Sequence, residues 1–177
     1  MGAAITLEEI ITFLLEAPMF GDLDASELSE IVHIMQVQRL NEGQFVFAEG
    51  EEGDAWYVLF EGEASVIKGT GEAEDVIAVL GPRSCFGEMG ILDGSVRSAS
   101  IRMNGSGTAF RFPRADFQEL LRANNLSAFK LVYQIALVLA RRQRQTTAKL
   151  VELLQSDARD EVQRELRPIV EETSPHE

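Results

Sequence analysis

From Thr6 to Glu16 the apolar residues Ile10, Ile11, Phe13, Leu14 and Leu15 share one wide face, the spacing of an amphipathic helix. Thr6 ahead of Glu8 and Glu9 supplies a cap and acids for the first turn, and Pro18 stops the helix. Asp24-Ala25-Ser26-Glu27 opens a second helix, expected to run to about Met35. Between Val37 and Ala109 the period changes. Short runs rich in Val, Ile, Phe and Tyr alternate with glycine-bearing turns: Phe45-Val46-Phe47, Trp56 to Phe60, Ala64 to Lys68, Val76 to Leu80, Ser98 to Arg102 and Thr108 to Phe112. Evenly spaced short strands of this kind predict a β jelly-roll (double-stranded β-helix) barrel.

Pro113-Arg114-Ala115-Asp116-Phe117 begins a short helix with proline in its first turn, and Asn124-Asn125 interrupts it. From Ser127 the helical period returns through Leu131, Ile135, Val138, Leu139, Arg142, Thr146, Leu150, Leu153 and Leu154. That face is longer than one barrel needs to cover. Pairing with a twin helix in a homodimer accounts for it; a helix folded against its own barrel is the other reading. Ser156-Asp157 can cap a further short helix to about Val170, and Glu171 to Glu177 reads as a frayed tail. The expected class is therefore α+β. N-terminal helices and the jelly roll occupy 1–126, a long C-terminal dimerisation helix 127–155, and a short acidic helix and tail 156–177.

Charge changes this picture more than size does. The chain has 177 residues, enough for one domain with a sizeable core and an extra helix. Its 29 acids against 16 bases give a net charge of −13, a surface that repels nucleic acid and anionic membranes. An anionic ligand would need a local positive pocket. With Cys85 as the sole cysteine no internal disulfide can form, and one thiol with two histidines fits a reducing cytoplasm. No signal peptide is visible, and the most apolar helix, Ala128 to Ala140, carries Lys130 and Gln134 and is too short to span a bilayer. Met1-Gly2-Ala3-Ala4-Ile5-Thr6 fits an acylation pattern, read as a chance match.

The stretch Phe86-Gly87-Glu88-Met89-Gly90-Ile91-Leu92-Asp93-Gly94-Ser95-Val96-Arg97-Ser98-Ala99-Ser100 carries the chemistry. A glycine turn leads into a short amphipathic run and then reaches an arginine followed by small hydroxyl residues. Backbone amides at a helix start together with a guanidinium can hold a phosphate. Glu88 would repel that phosphate unless it faces another part of the ligand, such as a sugar hydroxyl.

This pattern resembles the phosphate-binding cassette of cyclic nucleotide-binding domains. The order upstream is similar too: Gly43, then Glu49-Gly50-Glu51-Glu52-Gly53-Asp54, then an apolar run from Trp56 and Glu61-Gly62 at a tight turn. Ala140-Arg141-Arg142-Gln143-Arg144-Gln145-Thr146-Thr147 resembles the dimer helix of bacterial cAMP receptor and FNR-type regulators. One departure is Val96, where the family often has proline, a change expected to loosen the turn before Arg97. The resemblance implies a 3′,5′-cyclic nucleotide as ligand, cAMP in preference to cGMP, and no cofactor. It implies that Arg97 pairs with the cyclic phosphate, with the amides of Gly87, Glu88 and Met89 and a contact from Ser98. Glu88 would accept from the ribose 2′-hydroxyl, and Thr146 and Thr147 would meet the base.

Other classes fit less well. A cupin-type metal site needs several histidines, and only His33 and His176 exist. Cys85, next to Phe86, reads as a small core residue rather than a haem ligand. No nucleophile–base pair stands out, so the expectation is a binding module and not an enzyme. Two alternatives stay open: a transcription-regulator fragment without its helix-turn-helix, and a dimeric interaction module with a degenerate pocket. The residues after Ser156 are acidic, unlike a groove-reading module, and the Arg141-Arg142-Arg144 cluster reads as a solvated helix face. The partner that receives the signal is not written in the sequence.

Overall fold

The computed structural model describes residues 5–69 and 71–155, the side chains of 72 and 153–155 excepted. The short helix and tail expected over 156–177, with His176, and the Met1–Ala4 part of the acylation pattern lie outside the described residues. The chain divides into two compact units, Met1–Ile135 and Ala136–Glu177.

The first unit opens with two helices, α1 (Leu7–Leu15) and α2 (Ala25–Val32). Both begin with reciprocal caps. Thr6 and Glu9 bond to each other's backbone N–H groups, and Asp24 and Glu27 do the same. Eight strands follow: β1 (Gln36–Leu40), β2 (Phe45–Phe47), β3 (Ala55–Glu61), β4 (Ala64–Lys68), β5 (Asp75–Leu80), β6 (Cys85–Phe86), β7 (Ser100–Met103) and β8 (Gly107–Pro113). The four-residue helix α3 (Met89–Leu92) lies between β6 and β7, and α4 (Arg114–Arg122) and α5 (Leu126–Gln155) complete the order.

The strands form two antiparallel four-stranded sheets, β1-β8-β3-β6 and β2-β7-β4-β5. The expected barrel is therefore a jelly-roll-like sandwich whose sheets stay open. With β6 two residues long and β2 three, neither can carry a ladder from one sheet into the other. Between the sheets lies a core of Leu40, Phe47, Ala55, Tyr57, Leu59, Ala64, Phe86, Ile101, Met103 and Ala109. The other face of β3 and β8 is also covered: Trp56 stacks on Phe112 at 4.0 Å and meets Phe20 at 5.9 Å and Phe117 at 6.3 Å. That double burial explains why β3 reads as an unbroken apolar run.

Several elements differ from expectation: α2 ends at Val32 rather than about Met35, and two further differences have a visible cause. Pro113 is not in the first turn of α4 but ends β8 opposite Ala55 and caps the helix with an extended backbone, held by Arg114 N donating to the Asp54 carbonyl at 2.8 Å. The strand expected from Ser98 starts at Ser100, because the backbone of Arg97 is engaged elsewhere, as described below. The first turns of α5 pack into this unit through Ala128, Leu131 and Ile135. They are tied down by Lys130 to Glu27, by Gln134 to Asp22, and by Asn125 and Ser127 to Glu30 at 2.7 and 3.0 Å. In the second unit the described chain is the remainder of α5, with 140–149 exposed. Among the described residues no single helix is long and apolar enough to cross a membrane.

Candidate functional site

β6 pairs with β3 through Tyr57–Phe86 and Val58–Cys85, which delivers the chain to Gly87 at the end of the first sheet. Gly87 turns with φ +76°, and a Cβ there would lie 2.8 Å from Arg97 Nη1. A side chain at 87 would thus meet both a strained backbone and the guanidinium. Glu88, only 3% exposed, caps the short α3.

The return loop is closed at Asp93, whose Oδ1 accepts from Ser95 N at 2.9 Å; the bonds from Ser95 hold its carboxyl below the usual range. The loop then meets the turn after β2. Arg97 N donates to Glu51 O at 2.8 Å, Gly50 N donates to Arg97 O at 2.9 Å, and Glu52 and Val96 form an antiparallel bridge. Val96 therefore does not leave the turn before Arg97 loose: backbone bonds from Arg97 to Gly50 and Glu51 hold it.

The Arg97 side chain runs into the protein and is 4% exposed as a residue. Nη1 donates to Gly87 O at 3.0 Å, and Nη2 donates to Ala55 O at 2.7 Å and to Asp54 Oδ1 at 3.3 Å. The guanidinium lies over the Phe47 ring, 4.0 Å from its centroid. Its Nε is buried with no hydrogen-bond partner. A buried donor without an acceptor is costly, and an anion is the group best able to supply one. Burial, above all, lowers the pKa of Arg97 below the ordinary arginine value, while Tyr57 and Asp54 oppose the shift.

Asp54 is shared. Its Oδ2 accepts from Arg111 Nη2 at 2.6 Å, and Arg111 Nη1 donates to Gln36 Oε1 at 2.8 Å. Burial pulls the Arg111 pKa down, but bonds to Asp54 and Tyr57 outweigh it and leave the group raised. Tyr57 is raised, by burial first and then by the Asp54 charge, with the bond from Arg111 pulling the other way.

Arg97 meets the Gly87 carbonyl, and Glu88 and Met89 follow in the chain at the start of α3. Met89 is half-exposed at the start of α3. Ser98 is exposed, and its carbonyl accepts from Lys68 Nζ at 2.9 Å, a lysine that also bonds Glu49. Thr146 and Thr147 belong to the second unit, where both are exposed and Thr146 Oγ1 donates to the Arg142 carbonyl at 3.0 Å. Sequence reasoning missed Asp54, Phe47, the Ala55 carbonyl and Arg111 as site groups. The available signals were Asp54 directly before an apolar strand, and Arg111 as the one charge within Thr108 to Phe112. Cys85 is buried against Met19, with Sγ and Sδ 3.3 Å apart, as a core residue would be. His33 lies at the end of α2 with Nδ1 2.6 Å from Ser29 O. Among the described residues no group of three or more His, Cys, Asp or Glu could hold a metal ion.

Known proteins place this geometry in a class. The family model of the cyclic nucleotide-binding domain matches residues 37–124, the span that contains both sheets and the cassette. The chain belongs to the cyclic nucleotide-binding domain family. It is 28% identical over 154 residues to the CRP-like cAMP-activated global transcriptional regulator of Mycobacterium tuberculosis, covering 86% of this chain and 67% of that protein. It is 30% identical over 94 residues to a cAMP-dependent protein kinase regulatory subunit of Mycosarcoma maydis, covering 53% of this chain but only 18% of that one. The catabolite activator protein of Thermus thermophilus superposes with a TM-score of 0.68 at 29% identity, over 77% of this chain and 62% of that structure.

Proposed function

We propose that this chain is a cyclic nucleotide sensor that takes 3′,5′-cyclic AMP in preference to cyclic GMP and relays its occupancy through α5. The buried Arg97 guanidinium with its unpartnered Nε, seated in the cassette, carries the reading. Its planar fork suits a phosphodiester, since two parallel donors meet two oxygens. The amides of Gly87, Glu88 and Met89 act as discrete donors, because a four-residue helix has too few aligned peptides for a strong macrodipole. Glu88 accepts from the ribose 2′-hydroxyl, which is free only in the 3′,5′ ring, and Ser98 adds a hydroxyl or amide at the rim. Thr146 and Thr147 meet the base in a homodimer built on α5. The protein is a cytoplasmic binding module without catalysis, and its output passes to a protein partner. The relatives named as cAMP-activated or cAMP-dependent support the choice of ligand.

Calorimetry with cAMP and cGMP on the whole chain tests this. Saturable binding with cAMP the tighter ligand is expected; absence of binding by either nucleotide refutes the function, and equal affinity refutes a discriminating role for Thr146. Likeness to the Mycobacterium tuberculosis regulator over 154 residues favours a second reading, the effector part of a transcription regulator. A gel shift on random duplex DNA at low salt separates the two, since the net charge of −13 opposes binding unless a DNA-reading part accompanies the chain.

A further inference from the structure

Gln36, Arg111, Tyr57 and Phe86 are register partners on four neighbouring strands: Gln36 faces Arg111 across β1 and β8, Arg111 faces Tyr57 across β8 and β3, and Tyr57 faces Phe86 across β3 and β6. Directly opposed residues in an antiparallel sheet share a face. The four side chains thus make a transverse row that ends at the cassette, with Tyr57 stacked on Phe86 at 5.4 Å and 8°. Arg111 is the cation in this row, anchored by Gln36 Oε1 at 2.8 Å on one side and set opposite Tyr57 on the other.

The row sets the state of Asp54. Its carboxylate lies between two guanidiniums, 2.6 Å from Arg111 Nη2 and 3.3 Å from Arg97 Nη2. The short contact goes to Arg111. Among these three groups, two guanidiniums and one carboxylate leave one positive charge. Without Arg111, Asp54 would turn wholly to Arg97, and the pair would offer an anion no net charge inside a chain that is already strongly acidic.

We propose that Arg111 is a positioning residue of the phosphate site: by drawing Asp54 to itself it keeps that carboxylate from neutralising Arg97, and so sets the affinity for the cyclic phosphate. This rests on the proposed nucleotide function. The effect is modest in size, because the Asp54 side chain is 65% exposed and water screens it.

The test is a cycle of whole-chain variants titrated calorimetrically with cAMP, each with its own melting curve. Arg111→Met is expected to weaken cAMP binding about fivefold, and to cost less than about twofold in the D54N background, where no carboxylate remains to be held off. Arg111→Gln keeps an amide donor and carries the same comparison if Arg111→Met does not fold. A loss below about twofold in the Asp54 background, or the same loss in both backgrounds, overturns the proposal. Wild-type chain that binds neither cAMP nor cGMP fails the nucleotide reading itself, which separates that failure from this one.

Discussion

Truncating Arg97 should damage both the fold and the binding, and the structure gives a size for each. The side chain donates to the Gly87 carbonyl at 3.0 Å and the Ala55 carbonyl at 2.7 Å and covers Phe47 at 4.0 Å. Arg97→Ala strips both carbonyls of their donor, at about 1–3 kcal/mol for a buried group left unmade. It also removes a desolvated cation–π contact worth about 1–2 kcal/mol. A destabilisation of roughly 2–4 kcal/mol allows for partial repair by water. At about 2–4 °C per kcal/mol for a chain of this size, the melting temperature should fall by about 4–16 °C with no nucleotide added. Two charge-assisted bonds to phosphate, at about 1.5–3 kcal/mol each, less the solvation regained, leave a cost of roughly 2–4 kcal/mol, a 30- to 1,000-fold rise in Kd. Arg97→Lys keeps the charge but not the fork, and should fall between wild type and alanine in both measurements. The assay is thermal melting without ligand, then calorimetry with cAMP below each variant's transition. Alanine that melts like wild type refutes the buried network, and lysine that binds within about threefold of wild type refutes the bidentate role.

Gly87→Ala places a methyl 2.8 Å from Arg97 Nη1 at a backbone φ of +76°, so cAMP affinity should drop at least about tenfold by calorimetry with a smaller loss in melting temperature. Glu88→Gln should weaken cAMP about tenfold yet leave 2′-deoxy-cAMP nearly unchanged relative to wild type, because the charged acceptor becomes a neutral, weaker one and this matters only to a ligand with the hydroxyl; equal losses for both ligands would remove the ribose assignment. Glu30 is held below the usual carboxylate range by the bond from Asn125 first and from Ser127 second, which ties α2 to the start of α5. A carboxyl depressed in the fold contributes stability above its unfolded pKa and loses it as pH falls through the folded one. Denaturant melts of wild type should therefore weaken below the usual carboxylate range, and Glu30→Gln should flatten that part of the profile.

Much of the fold was legible because its signals are local. Caps at Thr6 and Asp24 stand within a few residues of the helices they start, and β4 matches its apolar run from Ala64 to Lys68 end to end. What escaped had no local contrast. β1 is Gln-Val-Gln-Arg-Leu, whose Val37 is half-exposed, so its strand character comes from pairing with β8 and not from its own pattern. β6 is two residues long and exists only as a partner of β3. Conversely, the run Val76 to Leu80 reads as core but forms the exposed edge strand β5, with Val76, Ile77 and Val79 more than half-exposed. Composition alone cannot tell an apolar edge from an apolar centre.

The site divides the same way. Gly87, Glu88 and Arg97 occupy one short segment, and a turn glycine next to an acid with an arginine following is visible in a single reading of the chain. The groups that decide how Arg97 behaves are spread from Gln36 to Arg111, and they converge because three strand registers align Gln36, Arg111, Tyr57 and Phe86 across one sheet. Register is a property of pairs of strands, so no window along the sequence contains it. The same argument accounts for how a chain of net charge −13 can offer a site to an anion. Exposed carboxylates are screened by water and salt within about 10 Å. Arg97 is buried and Arg111 partly so, whereas the Asp54 carboxylate between them is 65% exposed and screened, so these three groups sum to a positive charge beside the buried Glu88 carboxylate.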